Sequence, residues 1–137
     1  MAKEVHFLLV EDDEVDARTI RRALEKHRVT NPVTVASDGQ EALDLLQSGQ
    51  IPLSPLVVLL DLNMPRMNGL ELLRAMRRDP RLAAVTVVVL TVSADEPCVV
   101  EAYQLNAAGY LQKPVRFEDF SEMMGVLHKY WTLVEML

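Results

Sequence analysis

Five side chains in this sequence have the types and placement to do chemistry together. They are the carboxylates of Glu11, Asp12 and Asp61, the hydroxyl of Thr91 and the ammonium of Lys113. Each follows a short apolar run: residues 5–10 lead into Glu11 and Asp12, 56–60 into Asp61, 85–90 into Thr91, and 107–111 into Gln112 and Lys113. Three clustered carboxylates repel one another unless a cation or protons intervene. Hard oxygen ligands of this kind suit Mg²⁺, which takes one or two carboxylates together with waters and phosphate oxygens. A cation there would let a phosphoryl dianion approach an acidic site. Asp61 could then attack as a nucleophile and become an acyl phosphate, with Lys113 supplying a point charge and Thr91 a hydrogen bond. Singly, each residue has a plainer explanation, Asp61 as the end of a strand and Lys113 as a surface lysine. Their joint placement carries the chemical reading.

That placement depends on the elements between them. Short Val- and Leu-rich runs without polar interruption read as strands buried on both faces, as in a parallel sheet. Between them lie helical patterns: 14–28, with Val15, Ile20 and Leu24 on one side; a segment capped by Asp38, with Glu41 at the capping-box position, and ended by Gly49; 68–78, stopped by Asp79-Pro80; about 95–104; and a last helix over about 117–136. Arg74, Arg77 and Arg78 fall in the last turns of the third helix, where cations suit the helix dipole. Five βα units predict an α/β fold, a flavodoxin-like doubly wound five-stranded parallel sheet with helices on both faces. The strand order 2-1-3-4-5 is taken by analogy with that fold. In such sheets ligands bind at the carboxyl ends of the strands, where the five side chains stand.

The 137 residues fit one domain, 1–137, and there is no repeat, low-complexity tract or linker at which to divide it. A net charge of −6 argues against a nucleic-acid surface, which needs clustered cations. The apolar run at the N-terminus is too short for a signal peptide or a membrane span, so a cytoplasmic protein is expected. Cys98 is the single cysteine, which excludes an intramolecular disulfide, and His6, His27 and His128 have no ligand spacing.

The chain resembles a receiver domain of the two-component response regulators over essentially its whole length. The residues that carry the resemblance are Leu8-Leu9-Val10-Glu11-Asp12, Leu60-Asp61-Leu62-Asn63-Met64-Pro65, Asn68-Gly69, Leu90-Thr91 and Gly109-Tyr110-Leu111-Gln112-Lys113-Pro114. The resemblance implies that Asp61 is the phosphoacceptor, charged by a sensor histidine kinase. It further implies that Glu11, Asp12, Asp61 and the backbone carbonyl of Asn63 hold Mg²⁺, and that Thr91 and Lys113 engage the phosphoryl group. Tyr110 would be the switch aromatic that turns inward when Thr91 moves, and the Lys113–Pro114 bond would be cis. Three positions depart from the common pattern: Glu-Asp as the acidic pair, Asn68 before the Gly, and Val92 after Thr91. The branched Val92 would either restrict access to the site or limit the Thr91–Tyr110 movement.

The last helix has more apolar surface than one sheet needs. Phe117, Phe120, Met124, Leu127, Trp131 and Val134 form one stripe, and Met123, Val126, Tyr130, Leu133 and Leu137 a second beside it. A broad core face with a frayed tail would explain the width. So would a partner surface at Met123, Val126, Tyr130 and Leu133, most simply a homodimer about a twofold axis. The tail with Tyr130-Trp131 resembles that of stand-alone receivers that partner phytochrome-type histidine kinases.

The leading expectation is therefore a signalling phosphoacceptor, not an enzyme beyond self-phosphotransfer and slow self-dephosphorylation. Phosphorylation would switch a protein-interaction surface around the fourth and fifth helices, with no DNA-binding output domain. An aspartyl-phosphate phosphatase (HAD-like) would need a second acid two residues after the nucleophile, where Asn63 stands. A flavin carrier on the same fold would need hydroxyls and glycines after the first strand, where Glu11-Asp12-Asp13 would repel a phosphate.

Overall fold

The computed structural model describes residues 5–26, 31–53, 55–62, 64, 68–91, 97–113, 116, 118–123 and 125–126. Strands and helices alternate: β1 (His6–Val10), α1 (Glu14–Lys26), β2 (Val33–Ala36), α2 (Gly39–Ser48), β3 (Leu56–Asp61), α3 (Gly69–Arg78), β4 (Thr86–Thr91), α4 (Pro97–Gln104) and β5 (Gly109–Gln112). Residues 118–123 and 125–126 are helical again. All strand pairs are parallel, as the sequence predicts, and the order is β2-β1-β3-β4-β5, the one taken by analogy. No described helix is long and apolar enough to cross a membrane.

The apolar runs are uninterrupted because the sheet is covered on both sides. Leu8, Val10, Val58, Leu60, Val87 and Val89 pack with Leu46 of α2, Leu72, Leu73 and Met76 of α3, and Ala102 of α4. Their neighbours along the strands, Phe7, Leu9, Val57, Leu59, Val88 and Leu90, face the other way, toward Ala17, Ile20 and Leu24 of α1 and toward Phe120. This period-2 division, covered on both sides, keeps the interior positions of β1, β3 and β4 apolar. The Phe120 ring lies 5.6 Å from that of Phe7, which holds the C-terminal helical residues to the sheet.

Several local expectations need adjustment. Val15 is 67% exposed, so it is not on the inward side of α1; Ala17, Ile20 and Leu24, at helical spacing, form that side. Asp38 caps α2 by accepting from the Glu41 N–H at 2.8 Å, and Gly49 ends it at φ 80°. Glu41 does not complete a capping box, because its carboxylate instead accepts from the Ser37 N–H and hydroxyl at 3.1 and 2.7 Å. The full box is at α3, between Asn68 and Glu71. β5 starts at Gly109 instead of Ala107, because the chain is still closing α4 there: Asn106 has φ 64°, and the Ala107 N–H bonds back to the Ala102 carbonyl at 3.0 Å.

The arginines of α3 do more than complement its dipole. Arg77 donates to the carbonyls of Leu105, Ala83, Val85 and Asn106 at 2.8–3.2 Å, tying the loop that leads into β4 to the turn between α4 and β5. Burial lowers the pKa of its guanidinium from the ordinary value. Arg74 forms an ion pair with Glu101, joining α3 to α4.

Candidate functional site

The sheet register sets the strand ends level. Val10 is opposite Leu60, Asp61 opposite Leu90, and Thr91 opposite Gln112. The residues that follow or end these strands therefore meet at one edge. Glu11 continues β1 through a bond from its N–H to the Ala36 carbonyl at 3.0 Å, and the Lys113 N–H bonds to the Thr91 carbonyl at 2.7 Å. Asp13 caps α1, accepting from the N–H groups of Val15 and Asp16 at 2.8 and 3.2 Å. This turns the chain immediately after Glu11 and Asp12.

Glu11, Asp61 and Thr91 are buried polar residues, while Asp12 is exposed at the mouth. Lys113 reaches across the sheet edge and sets its ammonium 2.6 Å from Glu11 Oε2 and 3.2 Å from Asp61 Oδ2. A third carboxylate, Asp16 in the first turn of α1, lies 3.3 Å from the same nitrogen. Burial is the main reason the Glu11 carboxyl is raised from 4.5 to about 7; neighbouring Asp61 adds to this and Lys113 opposes it. For Lys113 burial acts to lower the pKa, but Glu11 and Asp61 outweigh it and the net direction is upward.

The donor set fits a hard divalent cation. Glu11, Asp12 and Asp61 each offer an oxygen, and the three lie within 4.8 Å of one another. Glu11 Oε2 is fully buried and makes an ion contact with Lys113 but no well-directed hydrogen bond, so it keeps a lone pair for a ligand.

Gly69 brings α3 against this edge. A Cβ at Gly69 would collide with the Asp61 carbonyl oxygen and stand 2.7 Å from Leu62 Cα, so only glycine permits the approach. The Gly69 N–H bonds to the Leu62 carbonyl at 3.4 Å.

Tyr110 is 38% exposed on β5, and its ring stands edge-on to that of Tyr103 of α4 at 6.5 Å. Burial, and to a lesser degree Tyr110, raises the Tyr103 pKa. Of the four residues assigned to a partner surface, Val126 is 61% exposed. Met123 is half-buried and packs against the core, its terminal methyl filling the space above Gly109. Tyr130, Leu133, Asn63, Pro114 and Val92 lie outside the described residues, as do His27, His128 and most of the C-terminal apolar stripes. His6 bonds to the Thr34 hydroxyl at 3.0 Å, a structural role.

Sequence reasoning did not single out Asp16, Tyr103, or the loop-tying role of Arg77. An acid in the first turn of a helix is ordinary dipole complementation, and nothing in the sequence ties Asp16 to a lysine 97 residues away. Tyr103 has no signal of its own either, since its partner is on another element.

A parallel sheet of this order, with a cation-fit acid cluster and a lysine beside a strand-end aspartate, defines a phosphosignalling class of site. The response regulator receiver domain family matches residues 7–125, and the chain belongs to that family. The chain is 39% identical over 126 residues to the probable methanogenesis regulatory protein FilR2 of Methanothrix harundinacea, covering 90% of this chain and 81% of that protein. It is 34% identical over 127 residues to the response regulator Rcp1 of Synechocystis sp., covering 90% and 86%. A solved Mn²⁺-bound form of Rcp1 matches with a TM-score of 0.70 at 33% identity over 94% of each chain. The bacteriophytochrome response regulator RtBRR matches with a TM-score of 0.79 at 38% identity, over 90% of this chain and 77% of that one. The protein is thus a two-component signalling protein, and neither a phosphatase nor a flavin carrier is favoured.

Proposed function

We propose that Asp61 accepts a phosphoryl group from a sensor histidine kinase. One observation carries the reading: the Lys113 ammonium stands 3.2 Å from the Asp61 carboxylate on the same strand-end edge as Glu11 and Thr91. A carboxylate oxygen of Asp61 attacks phosphorus, the bond from phosphorus to the donor breaks, and the donor leaves with that electron pair. Mg²⁺ held by Glu11, Asp12 and Asp61, with the Asn63 carbonyl, would neutralise charge between the acidic site and the phosphoryl oxygens. Lys113 and Thr91 bind those oxygens, and Tyr110 reports the change to the surface of α4 and β5. The protein itself acts as a phosphoacceptor, not as an enzyme on other substrates.

Incubation with acetyl phosphate, with and without Mg²⁺, followed by intact mass spectrometry, tests this. Wild type is expected to gain one phosphoryl group in the presence of Mg²⁺, and Asp61→Asn none. No gain in wild type, or an equal gain in the variant, would overturn the assignment.

The kinase partner is of the phytochrome type, a reading supported by the likeness to RtBRR, a bacteriophytochrome response regulator, and the exchange takes place in the cytoplasm. A second copy docks on the C-terminal apolar stripe that includes Val126, Tyr130 and Leu133. The exposure of Val126, beside a groove of about 500 Å³ lined by Tyr110, Gln112 and Met123, supports this. Analytical ultracentrifugation should find a wild-type dimer and a monomeric Leu133→Lys; a monomeric wild type would exclude the dimer.

A further inference from the structure

We propose that Asp16 is a positioning residue for Lys113, one that keeps the ammonium at the mouth of the site when a cation has engaged Glu11 and Asp61. This rests on the phosphoacceptor reading of Asp61. Lys113 touches three carboxylates, Glu11 at 2.6 Å, Asp61 at 3.2 Å and Asp16 at 3.3 Å. Two of the three belong, with Asp12, to the group whose oxygens lie within 4.8 Å of one another around a common point; Asp16 does not. A divalent cation at that point therefore competes with Lys113 for Glu11 and Asp61 and repels the ammonium. Asp16 is the anion among these three that the cation leaves to the lysine.

The geometry suits this task. Asp16 is in the first turn of α1, and its backbone is set by the Asp13 cap at 3.2 Å, so its carboxylate is presented from a fixed helix start. The Lys113 Nζ donates to Asp16 Oδ2, and the lysine side chain is 15% exposed against 45% for Asp16. The contact thus lies at the boundary between the buried acids and solvent. An ammonium anchored there meets the incoming phosphoryl oxygens without first being withdrawn from Glu11.

The test compares Asp16→Asn, Asp16→Glu and Glu14→Gln at saturating Mg²⁺. Glu14 shares the first turn of α1 and its dipole but is not among the carboxylates contacting Lys113. Asp16→Asn is expected to slow phosphorylation by acetyl phosphate about fivefold, the fold-change equivalent to about 1 kcal/mol for a half-exposed ion pair. Its Mg²⁺ Kd should stay within about twofold of wild type, Asp16→Glu should keep the rate, and Asp16→Asn should add nothing in a Lys113→Met background. Independently of phosphotransfer, the Lys113 Cε resonance of the Mg²⁺-loaded protein should move in Asp16→Asn and not in Glu14→Gln. An unmoved resonance overturns the inference. So does an unchanged rate, a parallel loss of Mg²⁺ affinity that would place Asp16 among the cation ligands, or an equal slowing by Glu14→Gln. Should wild type accept no phosphoryl group while the resonance moves as described, the phosphoacceptor reading fails and the positioning of Lys113 stands.

Discussion

Lys113→Met is expected to destabilise the protein by about 3–5 kcal/mol at about pH 8, the usual effect of removing one partner from a buried charge cluster. The methionine fills a similar volume, so the loss comes from charge: Glu11 and Asp61 are buried, and the ammonium at 2.6 and 3.2 Å is what offsets their desolvation. The cost must depend on pH. In wild type the Glu11 carboxyl is already raised from 4.5 to about 7, chiefly by burial. The folded state therefore holds its proton more tightly than the unfolded chain does. The stability this gives is fully present below 4.5 and is lost as pH rises toward about 7. Without Lys113 the carboxyl rises further, so at mildly acidic pH Glu11 is neutral in the variant and one fewer buried charge is left uncompensated. Urea denaturation should show a large deficit at about pH 8 that shrinks as pH falls through about 6, and saturating Mg²⁺ should recover part of it. A deficit independent of pH would mean that packing, not charge, is what Lys113 contributes. Phosphorylation should also slow by about a hundredfold or more, as when a charge-stabilising donor is removed from a reaction site.

Gly69→Ala is expected to cost about 2–3 kcal/mol, the range for forcing a methyl group into a packed interior. The atoms it would strike are the Asp61 carbonyl and Leu62 Cα, all backbone, so no side-chain rotation can relieve the contact. α3 must move away from the end of β3, which breaks the Gly69–Leu62 bond and displaces Asp61 relative to Lys113. Stability and phosphorylation should fall together. Gly49→Ala is the contrast: nothing lies within 4 Å of a Cβ there, and its penalty comes from φ 80° alone. It should cost about 1 kcal/mol and leave phosphorylation unchanged. Denaturation midpoints and an intact-mass time course on both variants check this. Equal rates in Gly69→Ala and wild type would show that the close approach does not position Asp61.

Much of this was legible in the sequence, because parallel sheets write their burial directly into it. Strands covered on both faces are apolar through their interior positions, so β1, β3 and β4 announced themselves, and the polar residues that end the runs marked the functional edge. The caps Asp38 and Gly49 were readable for a similar reason: each acts on backbone within three or four residues. At Val15 and Arg77 the expectations slipped because the deciding partner was remote. Val15 is apolar by type but exposed, since which side of α1 faces the sheet depends on the sheet. β5 begins late because α4 uses the Ala107 N–H to close its last turn. Arg77 became a loop tie, and Met123 packs against the core, through contacts the chain order does not reveal.

For the site itself, the residue types and the strand-end pattern were set by the sequence: acids after β1 and at the end of β3, a hydroxyl at the end of β4, a lysine after β5. Only the tertiary structure decided how the charges are shared. It placed one ammonium among three carboxylates, raised Glu11 to about 7 through burial, and gave Lys113 a contact with Asp16. Distances and desolvation are properties of packed neighbours from four separate segments, so no local pattern encodes them.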